Sequence, residues 1–172
     1  TYDLDVLVYA TGFEAEMTPL HRRAGHDIVG RDGVTLAEHW ADGAATLHGM
    51  MVHGFPNLFA MPAPGQQAVV TVNYTQLAVL GAEVVGRTIA ALAERGVERF
   101  EVTAEAEAAW TESVVSTFVD PSIVMSACTP SRINNEGHPE LINPRNANYG
   151  RGLGDWFGYR DLLHAWLDAG DF

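Results

Sequence analysis

The chain has 172 residues, 47% apolar and 19% charged, a balance that supports one globular core and excludes a disordered polymer. Its formal net charge of −12 repels a nucleic-acid backbone, and no apolar run approaches the roughly eighteen residues of a membrane span. No signal-peptide pattern opens the chain, and the start at Thr1-Tyr2-Asp3, without Met, reads as a cut inside a larger protein. The single cysteine, Cys128, excludes an intramolecular disulfide and suits a reducing cytoplasm. Seven histidines lack the tight spacing of a metal site, so no metal is expected. The nearest pair, His48 and His53, reads as surface or loop residues.

Val6-Leu7-Val8-Tyr9-Ala10 is a continuous apolar run, the pattern of a strand buried on both faces of a parallel sheet. Residues 13–44 are mixed, with glycines marking turns and Leu36 to Trp40 reading as one helical turn. Ala45 to Gly49 reads as a short strand. Gly54-Phe55-Pro56-Asn57 is a turn delivering a second buried strand, Leu58-Phe59-Ala60-Met61, which Pro62-Ala63-Pro64-Gly65 stops. A long helix is predicted from Asn73 to Arg95. Asn73 and Gln76 resemble a capping box, Leu77, Leu80, Val84, Val85, Thr88 and Leu92 form the apolar stripe, and Gly96 ends it.

Thr103 is a natural N-cap for a further helix, with Glu105 and Glu107 near the positive end of its dipole and Ala106, Trp110, Val114 and Phe118 repeating along it. Residues 126–155, rich in Ser, Asn, Pro and Gly, read as an ordered excursion without helical periodicity. Trp156, Tyr159, Leu163 and Trp166 restore a helical stripe that Gly170 closes. Trp110, Trp156 and Trp166 read as core residues, and Gly150, Gly152 and Gly154, which follow no strand, as a glycine-rich loop rather than a nucleotide fingerprint.

Asp5 to Phe13, with its Ala10-Thr11-Gly12, resembles the strand that returns to the FAD domain in flavoproteins with two dinucleotide-binding domains. Gly30-Arg31-Asp32-Gly33, Leu36, Trp40 and Gly54-Phe55-Pro56-Asn57-Leu58-Phe59 follow in the order seen in Baeyer–Villiger monooxygenases. Cys128-Thr129-Pro130, Asn134-Asn135-Glu136-Gly137 and Tyr149-Gly150-Arg151-Gly152 resemble a subgroup accepting bulky ketones. Two departures stand out. The loop reads Ala63-Pro64-Gly65-Gln66-Gln67 where relatives often carry Gly-Pro-x-Ser, and no tryptophan lies near Cys128.

The resemblance implies an α/β fold, as the C-terminal portion of an FAD domain over residues 1–102 and a helical and loop extension over 103–172. It implies FAD and NADPH as cofactors, a ketone as substrate and an ester or lactone as product. Thr11, Gly12, Phe13, Pro64, Gly65, Gln66 and Gln67 become candidate cofactor contacts, the last four because the helix after their loop offers unpaired N–H groups to an anionic flavin. A plain strand-to-helix connection is the alternative for that loop. Met61, Cys128, Thr129 and Pro130 become candidate pocket residues, with Cys128 a liner rather than a nucleophile. Asn134, Asn135 and Glu136 either bind NADP or lock their own loop. No catalytic residue is assigned, because the family's catalytic arginine lies upstream. The 172 residues alone are expected to be inactive, to need the missing N-terminal part as partner, and to self-associate through exposed strands. A flavin N- or S-oxygenase fragment and a non-catalytic binding domain are the alternative readings.

Overall fold

The computed structural model describes residues 2–10, 24–61, 65–68, 71–152 and 154–170. Five α-helices fall in that span: α1 (Leu36–His39), α2 (Tyr74–Glu94), α3 (Ala104–Thr117), α4 (Ser122–Met125) and α5 (Trp156–Ala169). Three short 3₁₀ turns, Arg132–Gly137, Pro139–Leu141 and Pro144–Asn146, occupy the stretch predicted to be an ordered excursion.

The predicted caps largely form. Asn73 accepts from the Thr75 N–H at 2.8 Å, a single bond in place of the reciprocal box expected with Gln76. A reciprocal box closes instead at α1, between Thr35 and Glu38. Thr103 caps α3 through the Ala106 N–H, and Gly170 ends α5 in the left-handed region at φ 63°. By length and composition α2 is apolar enough to cross a membrane. Here its Leu77, Leu80, Val84 and Leu92 pack in the core, while Glu83 and Arg87 pair on its other side.

The core joins α2, α3 and α5. Val84, Val114 and Leu163 are fully buried in one cluster with Met50, Met51 and Tyr159. That cluster draws on both sides of residue 102. Trp110 stacks on Tyr149 at 4.8 Å, and Trp156 and Trp166 pack against the same cluster. A smaller cluster of Leu36, Val52 and Phe55 sits under residues 28–58. There two pieces of the family-like pattern meet: the Arg31 N–H donates to the Gly54 carbonyl at 2.8 Å, and a side chain at Gly30 would collide with the same oxygen. Glu107 points inward rather than along its helix end, lying 3.0 Å from His39 Nε2 and accepting from the His53 N–H at 2.7 Å.

The α/β expectation requires correction. Among the described residues there is no strand, only isolated bridges joining Val29 with Thr35, Leu47 with Met51 and Met51 with Phe59. A strand needs a neighbour that exchanges backbone hydrogen bonds along its length. Residues 2–10 have none among the described residues; Val6 is 75% and Val8 77% exposed. In Ala45–Gly49, left-handed His48 at φ 57° and Gly49 at 70° turn the backbone, and Leu58–Met61 makes only the isolated bridge of Phe59 with Met51. The described residues are therefore mostly helical.

Candidate functional site

Residues 65 and 66 form a left-handed turn. Gly65 (φ 154°) and Gln66 (φ 65°) reverse the chain before α2, and Gln66 is fully buried. Such a conformation is costly for glutamine, and its side chain supplies the compensation. Its Nε2 donates to the Ala44 carbonyl at 2.7 Å and the Arg145 carbonyl at 3.1 Å, and more weakly to Thr111 Oγ1 at 3.4 Å. Its Oε1 accepts from Thr46 Oγ1 at 2.5 Å. The Gln66 N–H donates to the Ala147 carbonyl at 2.7 Å, so this amide is already used within the chain.

Gln67 continues the pattern, donating from Nε2 to the Gly49 carbonyl at 2.9 Å and accepting from the Tyr149 N–H at 3.2 Å. Its side chain also borders a cavity of ≈ 120 Å³ shared with Met61, Tyr74, Leu77, Gly81 and Tyr159. A Cβ at Gly81 would stand 2.6 Å from Met61 Sδ, so a side chain there would displace the methionine. The Tyr159 hydroxyl donates to the His48 carbonyl at 2.8 Å. Burial pushes this phenol far up, an effect that its hydrogen bond with Gln67 partly offsets, so it remains a donor near neutral pH.

His48 lies in a turn, as the reading of surface or loop residues allowed, but it is buried rather than exposed. Its ring lies edge-on between Trp110 at 5.0 Å and Trp166 at 5.1 Å, and burial holds its pKa down to about 4. Nothing local in the sequence signals this burial, because it comes from helices sixty or more positions away. His53 is a partly buried loop residue whose ring contacts the Val102 carbonyl at 2.9 Å.

Of the residues singled out from sequence, Met61 and Gln67 share the cavity, with Gly65 and Gln66 behind it. Thr11, Gly12, Phe13 and Pro64 lie outside the described residues. The loop 65–67 does not abut the long helix, whose N-cap is Asn73. Cys128, Thr129 and Pro130 form an exposed loop that does not line the cavity. Asn134 is buried and committed to that loop, donating to the Thr129 carbonyl at 3.1 Å and accepting from the Ser131 and Gly137 N–H groups at 2.7 and 3.1 Å. Tyr159 and Gly81 were missed as site residues. The one available signal was a glycine inside a helix of strong formers, which usually marks close packing. No group of side chains suited to a metal ion occurs among the described residues.

No family model matches the chain. Pentalenolactone D synthase of Streptomyces exfoliatus is 38% identical over 173 residues, covering 99% of this chain and 28% of that protein. Baeyer-Villiger monooxygenase 4 of Dietzia sp. is 31% identical over 171 residues, again 99% of this chain, and 27% of its own length. Among solved structures, an oxidized steroid monooxygenase bound to NADP matches with a TM-score of 0.74 at 31% identity, covering 98% of this chain and 29% of that one. OTEMO in complex with FAD and NADP matches with a TM-score of 0.56 at 39% identity, over 67% of this chain and 21% of its own. The chain thus spans under a third of the length of these proteins, and along that span it belongs to the C-terminal part of the Baeyer–Villiger monooxygenase family.

Proposed function

We propose that the intact protein is an FAD- and NADPH-dependent Baeyer–Villiger monooxygenase, inserting one oxygen atom of O₂ beside a ketone carbonyl to give an ester or lactone. The observation that carries this is the match to a steroid monooxygenase bound to NADP over 98% of the chain. The residues present suit one wall of such a site. Sites for ligands of that size hold about 300 Å³ or more. The cavity at Met61 and Gln67 has ≈ 120 Å³, enough for an edge of a flat ring or a ketone and not for a whole cofactor. Its apolar lining with one amide is the usual composition of a site that orients by few polar contacts.

On this reading Gly65, Gln66 and Gln67, with Thr11, Gly12, Phe13 and Pro64, lie on the flavin side. Met61 faces the ketone, which is bulky or cyclic, at the cavity, and Cys128, Thr129 and Pro130 reach it from their exposed loop outside the cavity. Bound flavin supplies the redox and oxygen-transfer chemistry. This chain's part is placement: Gln67 offers its amide to a ring edge, Met61 and Leu77 exclude water, and Tyr159 keeps its proton and holds the His48 turn. The division at residues 102/103, a cytoplasmic location and inactivity of the 172 residues alone are parts of the same proposal.

The test is the absorbance spectrum of the purified intact protein, followed by NADPH oxidation with a panel of cyclic and polycyclic ketones and mass spectrometry of the products. Bound FAD and a product heavier by one oxygen are expected. A colourless protein that oxidises no NADPH with any ketone would sink the reading.

A further inference from the structure

Resting on that reading, we infer that Gln66 is a positioning residue that locks the flavin-side turn to residues 145–149, making two segments eighty positions apart one mechanical unit. The contacts run in step along both segments. The Gln66 N–H donates to the Ala147 carbonyl, the Tyr149 N–H donates to the Gln67 carbonyl, and Gln66 Nε2 reaches the Arg145 carbonyl at 3.1 Å. Gly65 completes the closure, because any Cβ there would collide with the Asn146 backbone. From the opposite side the Gln66 side chain holds Ala44 and Thr46.

A fully buried amide with donors and acceptors all engaged, on a left-handed backbone, is over-determined for a plain connection. Its neighbour Gln67 is the amide at the cavity, so the direction in which Gln67 points is inherited from the Gln66 lock. Residues 145–149 themselves do not line the cavity. They act on it through Gln66.

The experiment uses the intact enzyme. Gln66→Gly keeps the left-handed backbone accessible and removes the lock; Gln66→Asn keeps an amide on a shorter arm. Both are compared with Leu92→Ala, a core truncation at the far end of α2. Measured are the FAD dissociation constant, the shape of the bound-flavin absorbance bands and the melting temperature. Gln66→Gly is expected to weaken FAD binding by about tenfold or more and to shift the bands, with Gln66→Asn between it and the parent. Leu92→Ala is expected to lower melting alone. If Gln66→Gly does not fold, Thr46→Val, which removes one clamp on the amide, decides the matter by a few-fold weakening of FAD binding. Parent-like FAD affinity and bands in the folded Gln66→Gly, or in Thr46→Val when it stands in, overturn the inference. A parent enzyme that binds no FAD at all removes the functional reading and this inference with it, and that outcome is visible without any variant.

Discussion

Residues 2–10 and helix α5 carry comparable apolar runs and end in opposite circumstances. In α5, Tyr159, Leu163 and Leu167 are buried against α2 and α3, while Val6, Leu7, Val8 and Tyr9 stand in solvent. The difference lies in where each segment's backbone partners are. A helix satisfies its own N–H and C=O groups and then needs only a face to bury. An extended segment borrows its hydrogen bonds from a neighbour, and none stands beside residues 2–10 among the described ones. Apolar content predicts a wish for burial; it does not supply the partner.

The largest expected effect lies in the helical half of that contrast. Leu163→Ala should cost about 2–5 kcal/mol of unfolding free energy by denaturant titration, since Leu163 is fully buried and leaves a cavity. A cost within error of zero would mean that this core does not carry the fold.

Acid should act next. The folded pKa of His48, about 4, lies below its unfolded value of 6.5, so the unfolded chain takes up the proton first. Stability is then full above pH 6.5 and is lost as pH falls toward 4, by about 3 kcal/mol in all. His48→Asn, which tolerates the left-handed turn and does not titrate there, should flatten that slope in a pH series of melting curves. An unchanged slope would assign the acid loss to other groups.

Thr103→Ala should cost about 1 kcal/mol by removing the cap of α3. The smallest effect is expected in the other half of the comparison. Val8→Ser in the 172-residue chain should shift stability by no more than about 0.5 kcal/mol, yet reduce self-association in light scattering across a concentration series. A chain that stays monomeric at every concentration, with or without the substitution, would break the comparison.

The same physics explains what could be read from the sequence. Asn73, Thr103, Leu36–Trp40 and Gly170 marked helix boundaries because caps and stripes are local. The strands at Val6–Ala10, Ala45–Gly49 and Leu58–Met61 failed because pairing is not local, and no pattern announces left-handed His48. At the candidate site, Gly65 to Gln67 drew notice as a turn near a cofactor. That Gln66 would turn inward was illegible, because its acceptors lie at Ala44 and Arg145. Trp110 was legible as core, and its role in desolvating His48 was not.

The contact between Gly65 and Asn146 bears on how this chain can be recombined with its relatives. Splicing this loop from one relative into another treats residues 65–68 as a portable cassette. Here a donor loop with any side chain at position 65 would be refused by the recipient's own Asn146 backbone. Crossovers between relatives should therefore either keep glycine at that position or move the two segments together, with breakpoints outside residues 44–149.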